Sequence, residues 1–262
     1  MENITLPSPH KILKVIKETK AEYTFRVECD ATTKHGQFFQ LSIPKIGEAP
    51  ISVSGKGDSW VEFTIRKVGR LTDGIFGLNP GDILFMRGPY GNSFPIEEYK
   101  NKHLLVIAGG TGLAPVKTMI NHFIDNPDEI KSLNIIAGFK DISCVLFEDE
   151  LNKFKTCTNT ICTLDNSIED GFETGMVTEH ICKIPLCEFE DYNVVIVGPP
   201  IMMHFAAKEL LKNGVEESKI WVSFERKMSC AVGKCGHCKI NETYVCLEGP
   251  VFNYVKAKEL LD

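Results

Sequence analysis

Residues 104–115 read Leu-Leu-Val-Ile-Ala-Gly-Gly-Thr-Gly-Leu-Ala-Pro, and this stretch decides the fold of the middle of the chain. Its first part, Leu104–Ala108, is wholly apolar, which is typical of a parallel strand covered on both faces. A Gly-rich turn, Gly109–Gly112, follows at once, and a helix is predicted over Ala114–Ile124. A helix that begins directly after a strand offers free N–H groups and the positive end of its dipole to a pyrophosphate. The stretch predicts a phosphate-binding turn, and a turn needed only for packing is the alternative.

Strands and helices continue to alternate on the C-terminal side of this stretch. We predict strands at Leu133–Ala137, Thr160–Leu164 and Val194–Val197, and helices at Leu146–Phe154 and Ile201–Asn213. This alternation predicts a doubly wound α/β domain with a parallel sheet, over residues 100–222.

Two further strand ends in this region carry turns of small residues. Gly138-Phe139-Lys140-Asp141 follows the second predicted strand, and Gly198-Pro199-Pro200-Ile201-Met202 follows the last. Open α/β sheets bind ligands beyond the carboxyl ends of their strands, so we expect the three turns to form one nucleotide site. Their spacing is not G-x-G-x-x-G, which disfavours a standard Rossmann dehydrogenase.

The N-terminal part of the chain has a different pattern of hydrophobic residues and turns. Short alternating segments are separated by Gly, Pro, Asp and Asn turns, which predicts an all-β domain, a small antiparallel barrel or sandwich, over residues 1–99. One helix is predicted in this half, at Leu71–Leu78. The predicted strands are Lys11–Ile16, Tyr23–Glu28, Gln37–Ile43, Val61–Arg66 and Ile83–Arg87.

Composition narrows the functional class. The 262 residues are 43% hydrophobic and 24% charged, as in ordinary globular proteins. The net charge of −6 lacks the basic character typical of nucleic-acid-binding proteins. No apolar run reaches the length of about 18 residues that a membrane span needs. The start Met1-Glu2-Asn3-Ile4 lacks a signal-peptide core, so a cytoplasmic protein is expected.

Four of the ten cysteines fall within the C-terminal segment 223–262, in the pattern C-x4-C-x2-C-x7-C. They are Cys230, Cys235, Cys238 and Cys246. The first three form one loop with plant-type spacing, which predicts a 2Fe–2S cluster and a third, cluster-binding unit. Gly233 and Gly236 permit the sharp turns that such a loop requires. The alternatives are a zinc site and four unligated thiols.

The other six cysteines have no metal-ligand spacing and are interpreted as small buried hydrophobic residues. They are Cys29, Cys144, Cys157, Cys162, Cys182 and Cys187. Abundant free cysteine also suits an anaerobic organism.

A barrel, a nucleotide-binding domain and a plant-type cluster, in that order, resemble the ferredoxin–NADP reductase superfamily. Within it the chain resembles the branch with its own C-terminal 2Fe–2S cluster, which includes dihydroorotate dehydrogenase electron-transfer subunits and sulfhydrogenase gamma subunits. The stretches 49–55, 87–92, 109–115, 198–202 and 225–230 are most similar to the family of electron-transfer subunits that belong to anaerobic sulfite reductases.

The resemblance implies FAD in the barrel. It places Pro50, Ile51, Ser52 and Val53 at the isoalloxazine, and Ile65, Arg66 and Lys67 at the ribityl and phosphate region. Leu71 and Thr72 would meet the pyrophosphate at a helix start. Many relatives carry an arginine just before Pro-Ile-Ser. Here Ala49, preceded by Glu48, takes that place, so FAD is held more loosely or Arg66 supplies the charge.

The resemblance also implies a nicotinamide dinucleotide at the Gly-rich turn. Gly109, Gly110, Thr111 and Gly112 would meet it, with Gly138 and Lys140 at the second turn and Gly198, Pro199, Pro200 and Met202 near its nicotinamide end. NADP-specific relatives carry Ser and Arg after the strand that here ends at Asp165. A carboxylate there accepts hydrogen bonds from a ribose diol and repels a 2′-phosphate, which favours NADH. Lys140 favours NADPH if it lies near the adenosine, because a lysine tolerates the 2′-phosphate. The alternative is that Lys140 is a solvated surface residue.

The chemistry of the three groups implies an electron relay. NADH releases a hydride and an iron–sulfur cluster accepts single electrons, so FAD between them passes electrons one at a time to the 2Fe–2S cluster and then out. No catalytic acid, base or nucleophile is required. The resemblance implies a ferredoxin-like iron–sulfur subunit and a sirohaem sulfite reductase subunit as acceptors. A relay that serves a hydrogenase or dihydroorotate dehydrogenase is the nearest alternative, and a zinc-binding interaction module is an alternative of another class.

Overall fold

The computed structural model describes residues 5–260, so the start Met1–Ile4, on which the expected lack of a signal peptide rests, lies outside the described residues. The chain forms two compact units. The first contains the residues up to 94 together with 224–251, and the second contains 95–223 together with the residues from 252 onward. Most of the cysteine-rich segment therefore packs with the N-terminal domain, and its last residues pack with the α/β domain. The three domains predicted from sequence, with boundaries at residues 99/100 and 222/223, stay a proposal.

The N-terminal part of the first unit is a closed antiparallel barrel, with neighbour order β1-β2-β5-β4-β3-β6. Its elements are β1 (Ser8–Lys17), β2 (Glu22–Glu28), β3 (Phe38–Ile43), β4 (Gly47–Lys56), β5 (Trp60–Arg66), α1 (Arg70–Phe76) and β6 (Ile83–Tyr90). The predicted barrel is confirmed. The fourth strand, β4, is absent from the predicted strands, because Gly47, Pro50 and Gly55 limit its alternating pattern to residues 51–54.

The barrel is filled by inward-facing apolar side chains. Phe39 and Phe63 meet edge to face, with ring centroids 5.5 Å apart, and Leu41 and Met86 are fully buried beside them. Since neighbouring side chains alternate across a strand, the residues between these positions face outward. Gln40 and Arg87, partners in the β3–β6 register, therefore lie on the outer face.

The cysteine-rich part of this unit is short and irregular, with β13 (Lys239–Ile240), β14 (Thr243–Tyr244) and α6 (Val245–Glu248). Asn92, at the end of the barrel, holds it in place. Its side-chain amide donates to the carbonyls of Glu248 and Val251, at 2.9 and 2.7 Å, and its carbonyl oxygen accepts from the Val251 N–H at 3.0 Å. A segment too small for its own core is thus stabilised by contacts with the barrel.

The second unit contains a parallel sheet with the order β10-β9-β8-β7-β11-β12, and β15 lies next to β12 at the edge. The strands are β7 (His103–Gly109), β8 (Ser132–Phe139), β9 (Asn159–Leu164), β10 (Glu173–Thr174), β11 (Tyr192–Val197), β12 (Ile220–Ser223) and β15 (Val251–Asn253). The helices are α2 (Ile96–Tyr99), α3 (Leu113–Asp125), α4 (Glu148–Cys157), α5 (Pro200–Lys212) and α7 (Tyr254–Ala257). The predicted doubly wound domain is confirmed.

Within residues 5–260, no helix combines the length and apolar character needed to cross a membrane. The interpretation of the six scattered cysteines as buried holds for Cys29 and Cys162 only. Cys144 is half-buried, and Cys157, Cys182 and Cys187 are exposed. Cys157, at the C-terminal end of α4, shows the physical reason. Cysteine is so often buried that the sequence favours burial even where a helix end faces water.

Candidate cofactor-binding sites

The four cysteines of the predicted cluster lie together in the first unit, on one tight loop and the short helix α6. Cys238 and Cys246 are buried, Cys230 is half-buried and Cys235 is exposed. The loop turns sharply at Gly233 and Gly236, whose φ angles are +70° and +78°. The backbone angle at Gly233 favours glycine, and a β-carbon there would lie 2.2 Å from a Leu247 methyl group, which would have to shift.

Backbone N–H groups of the loop point at the cysteine sulfurs. The N–H groups of Val232, Lys234 and Cys235 lie 3.5, 3.3 and 3.4 Å from Cys230 Sγ. The Gly233 N–H lies 3.3 Å from Cys246 Sγ. Donors aimed at thiolate sulfurs stabilise the negative charge of an iron–sulfur cluster, so the loop fits the group predicted for it.

The sulfurs differ in their affinity for protons. Hydrogen bonds from the backbone of His237 and Cys230 lower the pKa of Cys235 to about 7. Burial, followed by the hydrogen bond with Cys238, raises the pKa of Cys246 to about 12. Metal ligation requires thiolates, so the buried ligand must lose its proton as the cluster binds.

The arrangement of the cysteines also bears on the zinc alternative. Among residues 5–260, no three or more His, Cys, Asp and Glu side chains converge on one ion position. A structural zinc ion needs four ligands around one centre, whereas a 2Fe–2S cluster divides four thiolates between two irons. The plant-type spacing of the cysteines therefore remains the feature that favours the cluster over zinc.

Arg87 anchors the cluster loop, a role that the sequence does not predict. Its guanidinium donates to the carbonyl oxygens of Ser229 at 2.6 Å and of Cys230 at 2.8 Å. It also forms an ion pair with Glu48 on β4. Residues 87–92 form a recognisable motif, but contacts that join positions about 140 residues apart leave no local pattern in a sequence.

The predicted flavin strand is β4, where Ser52 pairs with Phe38, Ile51 with Phe39 and Pro50 with Gln40. Ile51 and Val53 pack in the barrel core, so Pro50 and Ser52 face outward by alternation. Both are half-buried. The outward pair suits contact with a flavin, whereas Ile51 and Val53 support the strand from inside.

The other residues expected at FAD have mixed environments. The Ile65 side chain is buried in the core, and only its backbone remains for a ligand. Arg66 is exposed and pairs with Glu22 at 3.2 Å, and exposed Lys67 lies 3.9 Å from Asp73. Leu71 is half-buried. The Thr72 hydroxyl accepts from the N–H groups of Val68 and Gly69 at 2.9 and 3.0 Å, so it shapes the start of α1.

In the second unit, two of the predicted turns meet at the carboxyl edge of the sheet. A β-carbon on Gly112 would lie 2.3 Å from the Val197 carbonyl oxygen, and one on Gly109 would lie 2.3 Å from Met202 Sδ. One on Gly198 would lie 2.7 Å from Met202 Cε. The structure thus brings the turns 109–112 and 198–202 into direct contact, and their glycines permit that approach.

The remaining members of this group lie along the same edge. Gly138 pairs with Gly109 in the β7–β8 register, and half-buried Thr111 and exposed Pro199 and Pro200 border the turns. Exposed Lys140 and half-buried Asp165 follow the next strand ends. Burial, and then the charge of Glu179, raise the pKa of Asp165, which the charge of Lys140 opposes. The structure brings these predicted residues to one edge.

Comparison with known proteins agrees with this geometry. Residues 106–208 match the oxidoreductase NAD-binding domain family, and residues 225–258 match the iron–sulfur cluster binding domain of dihydroorotate dehydrogenase B. Among solved structures, an NADH-dependent reduced ferredoxin–NADP oxidoreductase superposes with a TM-score of 0.81 at 24% identity, covering 96% of this chain and 91% of that one.

Curated relatives are similar over nearly their full length. The gamma subunit of sulfhydrogenase 2 from Pyrococcus furiosus is 35% identical, with 93% of each chain covered. A probable electron transfer subunit of dihydroorotate dehydrogenase B (NAD(+)) from Methanocaldococcus jannaschii is 34% identical, covering 92% of this chain and 88% of that one.

The fold and the two sites define an NAD(H)-dependent oxidoreductase electron-transfer subunit with a ferredoxin–NADP reductase-like architecture. The chain belongs to the family that includes sulfhydrogenase gamma subunits and dihydroorotate dehydrogenase B electron-transfer subunits. The family matches confirm an NAD-binding domain and an iron–sulfur cluster binding domain, and the fold is that of ferredoxin–NADP reductase-like proteins. FAD in the barrel and the 2Fe–2S type of the cluster stay proposals. The finer resemblance, to the electron-transfer subunits of anaerobic sulfite reductases, stays a proposal.

Proposed function

We propose that this chain receives electrons from NADH and delivers them, one at a time, to a protein partner that carries out the terminal reduction. When bound, FAD supplies the exchange between a two-electron hydride and single electrons, and the 2Fe–2S cluster carries them singly. One observation carries the proposal. The outward face of β4, with Pro50 and Ser52, and the cysteine loop belong to the same compact unit.

The residues of the chain have positioning roles in this proposal. The turns 109–112 and 198–202 bind and orient the dinucleotide, since their glycines leave the backbone open to a close approach. Pro50 and Ser52 hold the flavin against the barrel. The half-buried Asp165 carboxylate selects NADH by accepting hydrogen bonds from the ribose hydroxyls.

Cys235 marks the exit for electrons. It is the one cysteine of the four that is exposed, whereas Cys238 and Cys246 are buried. A partner that docks at Cys235 approaches the cluster edge without any displacement of the protein around it.

For the terminal reaction we retain sulfite reduction to sulfide, through a ferredoxin-like iron–sulfur subunit and a sirohaem subunit. The motifs of the barrel end and the cysteine loop support it. A hydrogenase is the second candidate acceptor, because a sulfhydrogenase gamma subunit is 35% identical over 93% of the chain. Dihydroorotate dehydrogenase is a third, on the same kind of similarity. The six cysteines outside the cluster loop form no disulfide, which suits a reducing compartment and supports the cytoplasm as the location.

The test has two stages. Anaerobically purified chain is mixed with NADH, and the visible spectrum is followed without any partner. We expect both flavin and cluster absorption to bleach, whereas a flavin that stays oxidised contradicts the relay. The chain is then purified under native conditions from its own source, and the partner is identified by mass spectrometry. A sirohaem protein as the partner supports sulfite reduction. A hydrogenase subunit or a dihydroorotate dehydrogenase subunit as the partner overturns sulfite reduction and supports that enzyme as the acceptor.

A further inference from the structure

The outer face of the barrel carries a buried arginine whose hydrogen-bonding capacity is fully used. Five hydrogen bonds from Arg87 reach Glu48, Tyr90, Ser229 and Cys230. A guanidinium has five N–H donors in a planar fork, so each has an acceptor. A buried charge of this kind is held in a single position by its surroundings.

These contacts connect two parts of the proposed electron path. Glu48 lies on β4, two residues before Pro50, and faces outward like Pro50 and Ser52. Cys230 is the first cysteine of the cluster loop. The strand β3 lies between β6, which carries Arg87, and β4, which carries Glu48. On β3, Gln40 pairs with Arg87 and Ser42 pairs with Glu48, so the Arg87 side chain crosses the outer face of β3 to reach Glu48. The arginine therefore bridges the proposed flavin strand and a cluster ligand within one unit.

Arg87 and Glu48 carry opposite charges, and both side chains are largely shielded from water. The side chain of Arg87 is 6% exposed and that of Glu48 is 24% exposed. An arginine guanidinium is not deprotonated in proteins. The guanidinium is thus positive throughout the working pH range. In a partly buried site, such charges act over several ångströms more strongly than in water.

We propose that Arg87 and Glu48 form a charge-paired clamp that positions the Cys230 end of the cluster loop against the flavin strand and sets the reduction potential of the cluster. The inference rests on the electron-transfer function proposed above. Reduction of the cluster by one electron adds one negative charge. Arg87 stabilises that added charge and raises the reduction potential, whereas Glu48 repels it and lowers the reduction potential.

The test uses two substitutions with opposite expected signs. Arg87→Gln removes the positive charge, and we expect the cluster midpoint potential, measured by an EPR-monitored redox titration, to move to a more negative value. Glu48→Gln keeps the shape of the side chain and one acceptor but removes the negative charge, and we expect a shift to a more positive value. Arg87→Lys keeps the charge but loses the planar fork, so it should alter the EPR line shape more than the potential.

A matched control is available on the opposite side of the barrel. Arg26 on β2 also donates twice to a glutamate, Glu62 on β5, with N···O distances of 3.0 and 2.8 Å. Arg26→Gln removes an arginine–glutamate ion pair that lies on two other barrel strands and whose arginine side chain is 33% exposed. We expect it to leave the cluster potential and the EPR signal at their wild-type values.

The outcomes separate the inference from the proposed function. Opposite shifts in the two charge variants, with no shift in Arg26→Gln, support the clamp. Unshifted potentials, or shifts of the same sign, in a chain that carries a normal cluster overturn the clamp and leave the relay intact. If Arg87→Gln assembles no cluster, Glu48→Gln alone decides, because a missing positive shift overturns the inference. A wild-type chain that never holds a cluster overturns the relay and the clamp together.

Discussion

Gly112 lies so close to Val197 that a β-carbon on the glycine would come within 2.3 Å of the Val197 carbonyl oxygen. The contact joins the end of β11 to the Gly-rich turn after β7, and it brings together the two turns proposed to hold the dinucleotide. The oxygen belongs to a buried strand and cannot move aside as a flexible side chain would. The spacing between the two turns therefore depends on the missing side chain at residue 112.

Gly112→Ala should separate these turns. Overpacking of this kind typically costs about 1–3 kcal/mol in the free energy of unfolding. We expect NADH to bind at least about tenfold more weakly, equivalent to ~1.4 kcal/mol, with FAD and iron content unchanged. Stopped-flow measurement of flavin reduction at varied NADH concentration checks this. Gly77→Ala is the matched control, because Gly77 has an ordinary φ of −81° and a β-carbon there would lie 3.4 Å from the Gly74 carbonyl oxygen. Wild-type NADH affinity in Gly112→Ala would refute this role for the turn.

The preference for NADH over NADPH should depend on pH. Burial and the charge of Glu179 raise the pKa of Asp165, and the carboxylate is ionised only above that raised value. Discrimination against NADPH therefore declines as the pH falls through this raised pKa, beginning at a higher pH than for an ordinary aspartate. The ratio of kcat/KM for the two coenzymes, measured between mildly acidic and neutral pH, checks this. Asp165→Asn should give a smaller ratio that does not change with pH, and a wild-type ratio in that variant contradicts the assignment.

Thr72 is expected to act on FAD through the shape of the α1 start. Its hydroxyl accepts from the Val68 and Gly69 N–H groups and donates to the Gly69 carbonyl at 2.9 Å. Thr72→Val removes these bonds and should lower the free energy of unfolding by about 1 kcal/mol, and FAD affinity should fall with it. Urea denaturation and FAD titration of the apoprotein are the measurements. Thr72→Ser keeps the hydroxyl and should behave as wild type. Normal FAD affinity in Thr72→Val would exclude this part of the site.

Cys238→Ser should separate the two cofactor functions. The substituted residue is buried and is one of the four proposed ligands, so we expect the cluster to be lost. The turns proposed to bind NADH lie in the other unit, so NADH-dependent flavin reduction should persist. Iron analysis and anaerobic flavin bleaching are measured on the same sample. Cys182→Ser, at an exposed cysteine outside the loop, is the control. Loss of flavin reduction along with the cluster would show that the two functions are not separable.

Strong hydrophobic patterns make the α/β domain predictable from sequence. The apolar run Leu104–Ala108 and the helical pattern Ala114–Ile124 correspond to β7 and α3, which extend only slightly further at each end. Buried parallel strands are nearly continuous apolar runs, and few other structures produce them. The cysteine spacing is equally informative, because ligand geometry fixes it directly.

Other features depend on contacts that a sequence does not display. The strand β4 contains Gly47, Pro50 and Gly55, which are typical of loops, and it pairs with β3 and β5 on its two sides. The resemblance places Ile65 at FAD, yet strand alternation directs its side chain into the core. The contact of Arg87 with Cys230 joins residues 143 positions apart. Such pairs are fixed by the tertiary fold.

The most direct test of the central claim is chemical analysis of iron and acid-labile sulfide in anaerobically purified protein. The four cysteines and the N–H groups that point at their sulfurs predict equal amounts of the two elements, two of each per chain, as a 2Fe–2S cluster requires. Metal without labile sulfide, or neither element after reconstitution with iron and sulfide, would contradict the account.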